Sequence, residues 1–244
     1  MPANVHSEVL KAVNEVAFVK QGATENEVEV YERMKLYGDN PHLVKMVASY
    51  QDPNDNKSKN LVLENCSGGD LFDYIQSRSF DSSTGVKGIF VQIATGLSAM
   101  HNAGVAHRDV SLENILLNAN QTLLKLSDYK LACDAHAVRS ETVGKGFYMS
   151  PQVARGVDYV PAAADVWSLG IVLFILLTGS PPFENALEDD PRYAFLSLNG
   201  VQSLLCTFGY DVPKDALNLL KKMLCVEPSK RFDINQVLSH PFCN

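Results

Sequence analysis

Five short segments carry the side chains with the most chemical potential. Residues 107–114 read HRDVSLEN, 128–130 read DYK, 150–152 read SPQ and 165–170 read DVWSLG, while Lys20 closes the apolar run VAFVK far upstream. An aspartate or asparagine alone in a loop usually serves a turn or a cap. The set invites a different reading. Mg2+ is a hard cation that takes oxygen from one or two protein groups and leaves its other positions to phosphates and water. Phosphoryl transfer needs such oxygens, a cation along the phosphate chain and a carboxylate that orients the attacking hydroxyl. Lys20, Asp109, Asn114 and Asp128 are of the right types for that chemistry.

In their order and spacing these segments resemble the eukaryotic protein-kinase family, from about Val9 to the C-terminus. Each fragment alone is a weak signal and the ordered set is specific. The resemblance implies a two-lobed fold, ATP and Mg2+ as cofactors, and transfer of the ATP γ-phosphate to serine or threonine hydroxyls of a protein. Under it Asp109 accepts the hydroxyl proton, Asn114 and Asp128 hold the metal, and Lys20 contacts the α- and β-phosphates. The helix partner of Lys20 should be a glutamate between 25 and 32. Spacing to Asn40-Pro41-His42 favours Glu32, with Glu29 as the alternative. The stretch LVLENCSGG looks like the family's hinge, with Leu63 as gatekeeper and the backbone of Glu64 and Cys66 facing the adenine edge. Ala17 and Leu116 would sandwich the ring, and Asp165 would brace the HRD backbone. Asp70 and Glu113 fall where some members read substrate arginines, which implies a basic substrate motif.

The chain also departs from the family. Its first glycine is Gly22, so no glycine-rich loop precedes Lys20, and a chain shortened at its front is one expectation. DFG is DYK, where a tyrosine keeps the aromatic plug and Lys130 is expected to be strained if that site needs positive φ. The lysine common two residues after the catalytic aspartate is Ser111, and the threonine expected in VGKGFYMSPQ is Lys145. Those two positions approach each other in the family, so Lys145 is expected to set its ammonium beside Asp109 as a catalytic group. The APE glutamate is Gln152, opposite Arg231, which turns an ion pair into a neutral–charged hydrogen bond. Arg108 would pair with a phosphorylated activation-loop residue, Ser140 or Thr142. Two function classes follow: an active Ser/Thr kinase, favoured by the four retained groups, and a pseudokinase that binds nucleotide or scaffolds, favoured by the missing loop and Lys130. A small-molecule kinase on a related fold fits less well.

The elements that must position these residues can be read from pattern. Val9–Val13 and Val16–Lys20 read as a hairpin, 25–36 as an acidic helix, and 43–49 and 61–63 as strands. Apolar side chains at Val86, Ile89, Phe90, Ile93, Leu97 and Met100 make the stripe of a helix over 86–101. Residues 162–178 and 214–225 read as helices, and 115–117 and 123–126 as strands. The fold class is therefore α+β, a single domain over residues 1–244 with a small β-rich lobe at 1–65 and a larger helical lobe at 66–244. Composition agrees: 244 residues, 46% hydrophobic and 20% charged, exclude a disordered or fibrous chain. A net charge of −7 argues against a nucleic-acid partner. The longest apolar run, Ile171–Leu177, falls short of a membrane span. Five scattered cysteines, odd in number and without a CxxC pair, suit a reducing, intracellular and cytoplasmic setting.

Overall fold

The structure, a computed structural model, describes residues 17–51, 55, 59–77 and 82–244. The expected Val9–Val13 strand lies outside the described residues. Strand β1 (Ala17–Ala23) pairs antiparallel with β3 (Lys59–Glu64), which pairs on its other edge with β2 (Met46–Gln51). Side chains alternate across a strand, so Phe18 and Lys20 share one face of β1 while Ala17 turns to the other and is buried. The β1 register slips between Lys20 and Ala23, where Gly22 takes φ 69°. β2 begins later than pattern suggested, because the chain before it meets the large lobe: Leu43 bridges Leu126.

Helix α1 (Glu25–Tyr37) crosses this sheet. Thr24 caps it, accepting from the Glu27 N–H at 3.2 Å, and Glu25 and Glu27 place negative charge in its first turn. Its buried face is Glu27, Val28, Val30, Tyr31 and Met34.

After the Gly68-Gly69 turn the chain becomes helical. A Cβ at Gly68 would lie 2.2 Å from the Asn118 carbonyl oxygen, so the glycine permits this close approach to the β5 end. Helix α2 (Leu71–Ser77) leads to α3 (Ser82–Asn102), whose Val86, Phe90, Ile93, Leu97 and Met100 are buried at the expected offsets. Strand β4 (Val105–Ala106) precedes the HRD loop. The hairpin β5 (Ile115–Leu117) and β6 (Leu124–Leu126) carries the chain from Asn114 to Asp128, and β7 (Cys133–Asp134) pairs back to β4. Five more helices follow in the large lobe: α4 (Pro151–Ala154), α5 (Pro161–Thr178), α6 (Pro191–Thr207), α7 (Lys214–Met223) and, near the end, α8 (Ile234–Leu238).

Helix α5 is long and apolar enough to cross a membrane by length and composition, with mean hydropathy 1.8, yet 72% of it is buried inside the protein. Trp167, Leu169, Ile171, Val172 and Leu173 are fully enclosed, the environment of a core helix. All five cysteines are free.

Candidate active site

The catalytic-loop residues are fixed by a buried carboxylate. Asp165, near the start of α5 and 1% exposed, accepts from the backbone N–H of His107 (2.7 Å) and of Arg108 (2.7 Å), and His101 Nε2 lies 2.9 Å away. His107 sits in one tautomer: Nε2–H donates to the Ser127 carbonyl at 2.9 Å and Nδ1 accepts from the Asp109 N–H at 3.2 Å. Arg108 takes φ 66°, a left-handed conformation that a non-glycine residue holds only when its surroundings impose it. This bracing fixes Asp109 between the catalytic loop and the segment that carries Gly144 and Lys145. The Asn114 amide nitrogen donates to Asp109 Oδ2 (2.7 Å) and to its carbonyl (2.8 Å), which leaves the amide oxygen for a cation. Asp109 Oδ1 has no partner.

On β1, Lys20 lies between two carboxylates, 2.7 Å from Glu27 Oε1 and 2.6 Å from Asp128 Oδ1. Burial pulls its ammonium down, but the two carboxylates outweigh that and hold its pKa above the ordinary lysine value. Burial likewise pulls the Asp128 carboxyl up, and Lys20 overrides it, leaving the carboxyl below the usual aspartate range. The partner of Lys20 is therefore Glu27, and neither Glu32 nor Glu29. The Thr24 cap sets the helix phase, which puts Glu27, Tyr31 and Met34 on the inner face and leaves Glu29 and Glu32 exposed.

A cavity of about 340 Å3 opens beside this cluster, lined by Phe18, Lys20, Leu63, Cys66, Leu116 and Asp128 among others. Leu63, Glu64, Cys66 and Leu116, named together for the hinge and the ring, all line this one cavity. Burial pushes the Cys66 thiol up to about 11, so it is a neutral wall group. The Glu64 side chain is turned away to the Lys45 N–H and the Lys125 ammonium. Ala17 is off the cavity and Phe18 is on it, because the period of two puts Phe18 on the same face as Lys20. Asp70 is off it too: its carboxylate caps α2 by accepting from the Asp73 N–H at 2.8 Å. Tyr31, Val44, Asn65 and Ser127 also line the cavity; of these, Asn65 falls within the hinge stretch LVLENCSGG, and the others were not singled out from sequence.

The DYK turn differs from expectation in where its strain sits. Lys130 has no positive φ; Asp128 does, at 62°. Tyr129 is fully buried, its ring 4.4 Å from that of Tyr31 and 5.8 Å from that of His107, with its hydroxyl donating to the Leu126 carbonyl. The plug therefore ties α1 to the catalytic loop.

The activation segment is ordered by direct contacts. Lys145 Nζ lies 2.6 Å from Ser111 Oγ, 3.4 Å from Asp109 Oδ2 and 3.9 Å from Glu113 Oε2. Arg108 and Arg139 each reach the Glu141 carboxylate at 3.9 Å. Thr142 Oγ1 donates to the Val153 carbonyl. Gln152 accepts from Arg231 Nη2 at 3.1 Å, the neutral–charged bond expected, while burial lowers the Arg231 guanidinium to about 10.

Comparison with known proteins matches residues 4–243 to the protein kinase domain. The chain belongs to this family. The kinase domain is 33% identical to a probable serine/threonine-protein kinase of Dictyostelium discoideum over 238 residues, 96% of this chain and 27% of that protein. It is 35% identical to calcium-dependent protein kinase 10 of Arabidopsis thaliana over 213 residues, 86% of this chain and 38% of the relative. It is 28% identical to calcium/calmodulin-dependent protein kinase type 1 of Macrobrachium nipponense over 226 residues, 91% of this chain and 63% of the relative. The kinase domain thus spans less than two thirds of the length of each.

Proposed function

We propose that this protein transfers the γ-phosphate of ATP to serine or threonine hydroxyls of protein substrates. The observation that carries this reading is the pairing of the retained groups: Asp109 with Asn114 in the catalytic loop, and Asp128 with Lys20 and Glu27 across the two lobes. A structural protein has no need of a lysine between two carboxylates at the mouth of a 340 Å3 cavity.

Mg2+ fits the donor set. Among the described residues no cluster of three histidine, cysteine or acidic side chains could hold a metal by itself. Magnesium bound with nucleotide does not require one, since phosphates and water complete its shell. The Asp128 carboxylate, 43% exposed, and the Asn114 amide oxygen would be its protein ligands. The metal would neutralise charge on the phosphates. The chain's own residues do the rest. Lys20 pairs with the α- and β-phosphates, Leu63, Cys66, Leu116 and Phe18 exclude water from the adenine, and Asp109 Oδ1 takes the hydrogen bond of the substrate hydroxyl and then its proton.

Substrates with a basic motif fit the −7 charge and the carboxylate of Glu113 beside the site, and a cytoplasmic setting fits five free thiols. A nucleotide-binding or scaffolding role without transfer is the second reading, for which Lys130 in place of the DFG glycine speaks. The test is transfer of labelled γ-phosphate from Mg-ATP to a mixed serine/threonine peptide library, with Asp109→Asn alongside. Transfer that falls roughly 100-fold or more in the variant supports the enzyme. Nucleotide binding with no transfer by either protein supports the second reading.

A further inference from the structure

Negative charge is shared over the transferred group in phosphoryl transfer, and the catalysis consists largely of fixed positive charge placed around it. Lys20 is already bracketed by Glu27 of its own lobe and Asp128 of the large lobe. The cation nearest Asp109 is Lys145, which comes from a segment 36 residues further along the chain.

Two features hold it there. Gly144, with φ 99°, lets its backbone pass so close that a Cβ would lie 3.0 Å from the Arg108 carbonyl oxygen. Ser111 is fully buried and offers its hydroxyl to Lys145 at 2.6 Å. The contact to Asp109, at 3.4 Å, is longer than the roughly 2.7–2.9 Å of a tight ammonium–carboxylate bond. Lys145 also keeps 38% of its side chain exposed. An ammonium held by a hydroxyl, loosely shared between Asp109 and Glu113 and 38% exposed, has room for a further anionic partner.

We propose that Lys145 is a catalytic residue whose ammonium meets the γ-phosphoryl group during transfer, with Ser111 as the residue that positions it. The proposal rests on the kinase reading above. In the step, the substrate hydroxyl oxygen forms a bond to the γ-phosphorus while the bond to the β–γ bridging oxygen breaks. That electron pair leaves on ADP, and the hydroxyl proton passes to Asp109. Lys145 exchanges neither proton nor electrons; it faces the γ-oxygens. Because the cation rides on the activation segment, the site is complete only while that segment is folded onto the catalytic loop, a state secured by the Arg139–Tyr159 bridge and the Thr142–Val153 hydrogen bond.

The test compares the full chain with Lys145→Ala, Lys145→Arg and the double variant Ser111→Lys/Lys145→Ala, measuring kcat, Mg-ATP affinity and melting temperature. Lys145→Ala should lower kcat roughly 10- to 100-fold while the ATP Kd stays within about twofold. Lys145→Arg should retain part of the rate. The double variant should regain most of it, because Ser111 Oγ and Lys145 Nζ occupy adjoining positions and a lysine stem from residue 111 reaches the same space. Unchanged kcat in Lys145→Ala overturns the proposal and leaves the kinase reading intact. A lost rate that neither partner variant restores, together with a lowered melting temperature, also overturns it, since Lys145 is then a structural strut. A wild-type chain that transfers no phosphate overturns the kinase reading and this proposal with it.

Discussion

Two aspartates anchor the site from opposite surroundings. Asp165 is 1% exposed and accepts two backbone N–H bonds inside the large lobe, with His101 beside it. Asp128 has a 43% exposed side chain and a single ionic partner, Lys20, from the other lobe. Burying a carboxylate is unfavourable unless several donors offset it, and once offset it is lost only with the surrounding structure. An exposed ion pair is worth about 0–1 kcal/mol and can be exchanged for another charge with little penalty. The large-lobe brace is therefore permanent scaffolding, and under the proposed function the interlobe bracket is the contact that phosphate and cation would remake.

The sharpest way to break this contrast is to remove each carboxylate's partners in turn. Asp165→Ala strands two backbone donors and His101, and should destabilise the protein by about 3 kcal/mol, with a fall in melting temperature of about 6–12 °C, read by calorimetry. The double variant Lys20→Met/Glu27→Gln, which leaves no stranded charge at the 1% exposed Glu27, should weaken Mg-ATP binding roughly 10-fold in a titration, yet shift the melting temperature by only about 2 °C. A fall as large as that of Asp165→Ala would erase the distinction. Glu27→Gln alone should act more gently, lowering kcat/KM about fivefold through a less well-held Lys20, with ATP affinity moved less than by the double variant. The smallest effect is on pH. The folded Asp128 carboxyl is held below its ordinary value by Lys20, so its contribution to stability is present above about pH 4 and lost as pH falls through the folded value. Melting temperatures recorded from neutral pH down into the acid range should fall slightly less steeply for Lys20→Met/Glu27→Gln than for the wild type.

What could be read from sequence followed the range of the forces involved. The HRDVSLEN, DYK and SPQ segments carry the family resemblance, which implied roles for Asp109, Asn114 and Asp128; the structure joins Asp109 to Asn114 at 2.7 Å and Asp128 to Lys20 at 2.6 Å. The helix over 86–101 announced itself through one buried stripe. Glu27 stayed hidden because the four glutamates of α1 differ only in phase, and phase is set by the Thr24 cap and by the sheet underneath. Phe18 is a consequence of period two that a one-residue offset in the VAFVK alignment reverses. Asp70 reads as a site carboxylate or as a cap equally well until the start of α2 is known. The strain at DYK sits on Asp128 because the chain must turn immediately after β6, a tertiary requirement that no residue type at 130 announces.

Hydrogen exchange with and without Mg-ATP tests the contrast between fixed brace and movable bracket most directly. The backbone amides of His107 and Arg108, bonded to Asp165, should exchange slowly in the free protein and remain unchanged when nucleotide is added. The amides around Lys20 in β1, through the first turns of α1, and in the turn that follows Asp128 should slow on adding Mg-ATP. Fast exchange at His107 and Arg108 in the free protein, or no slowing around Lys20 and Asp128 at saturating Mg-ATP, would contradict the division of the site into a fixed base and a bracket remade by nucleotide.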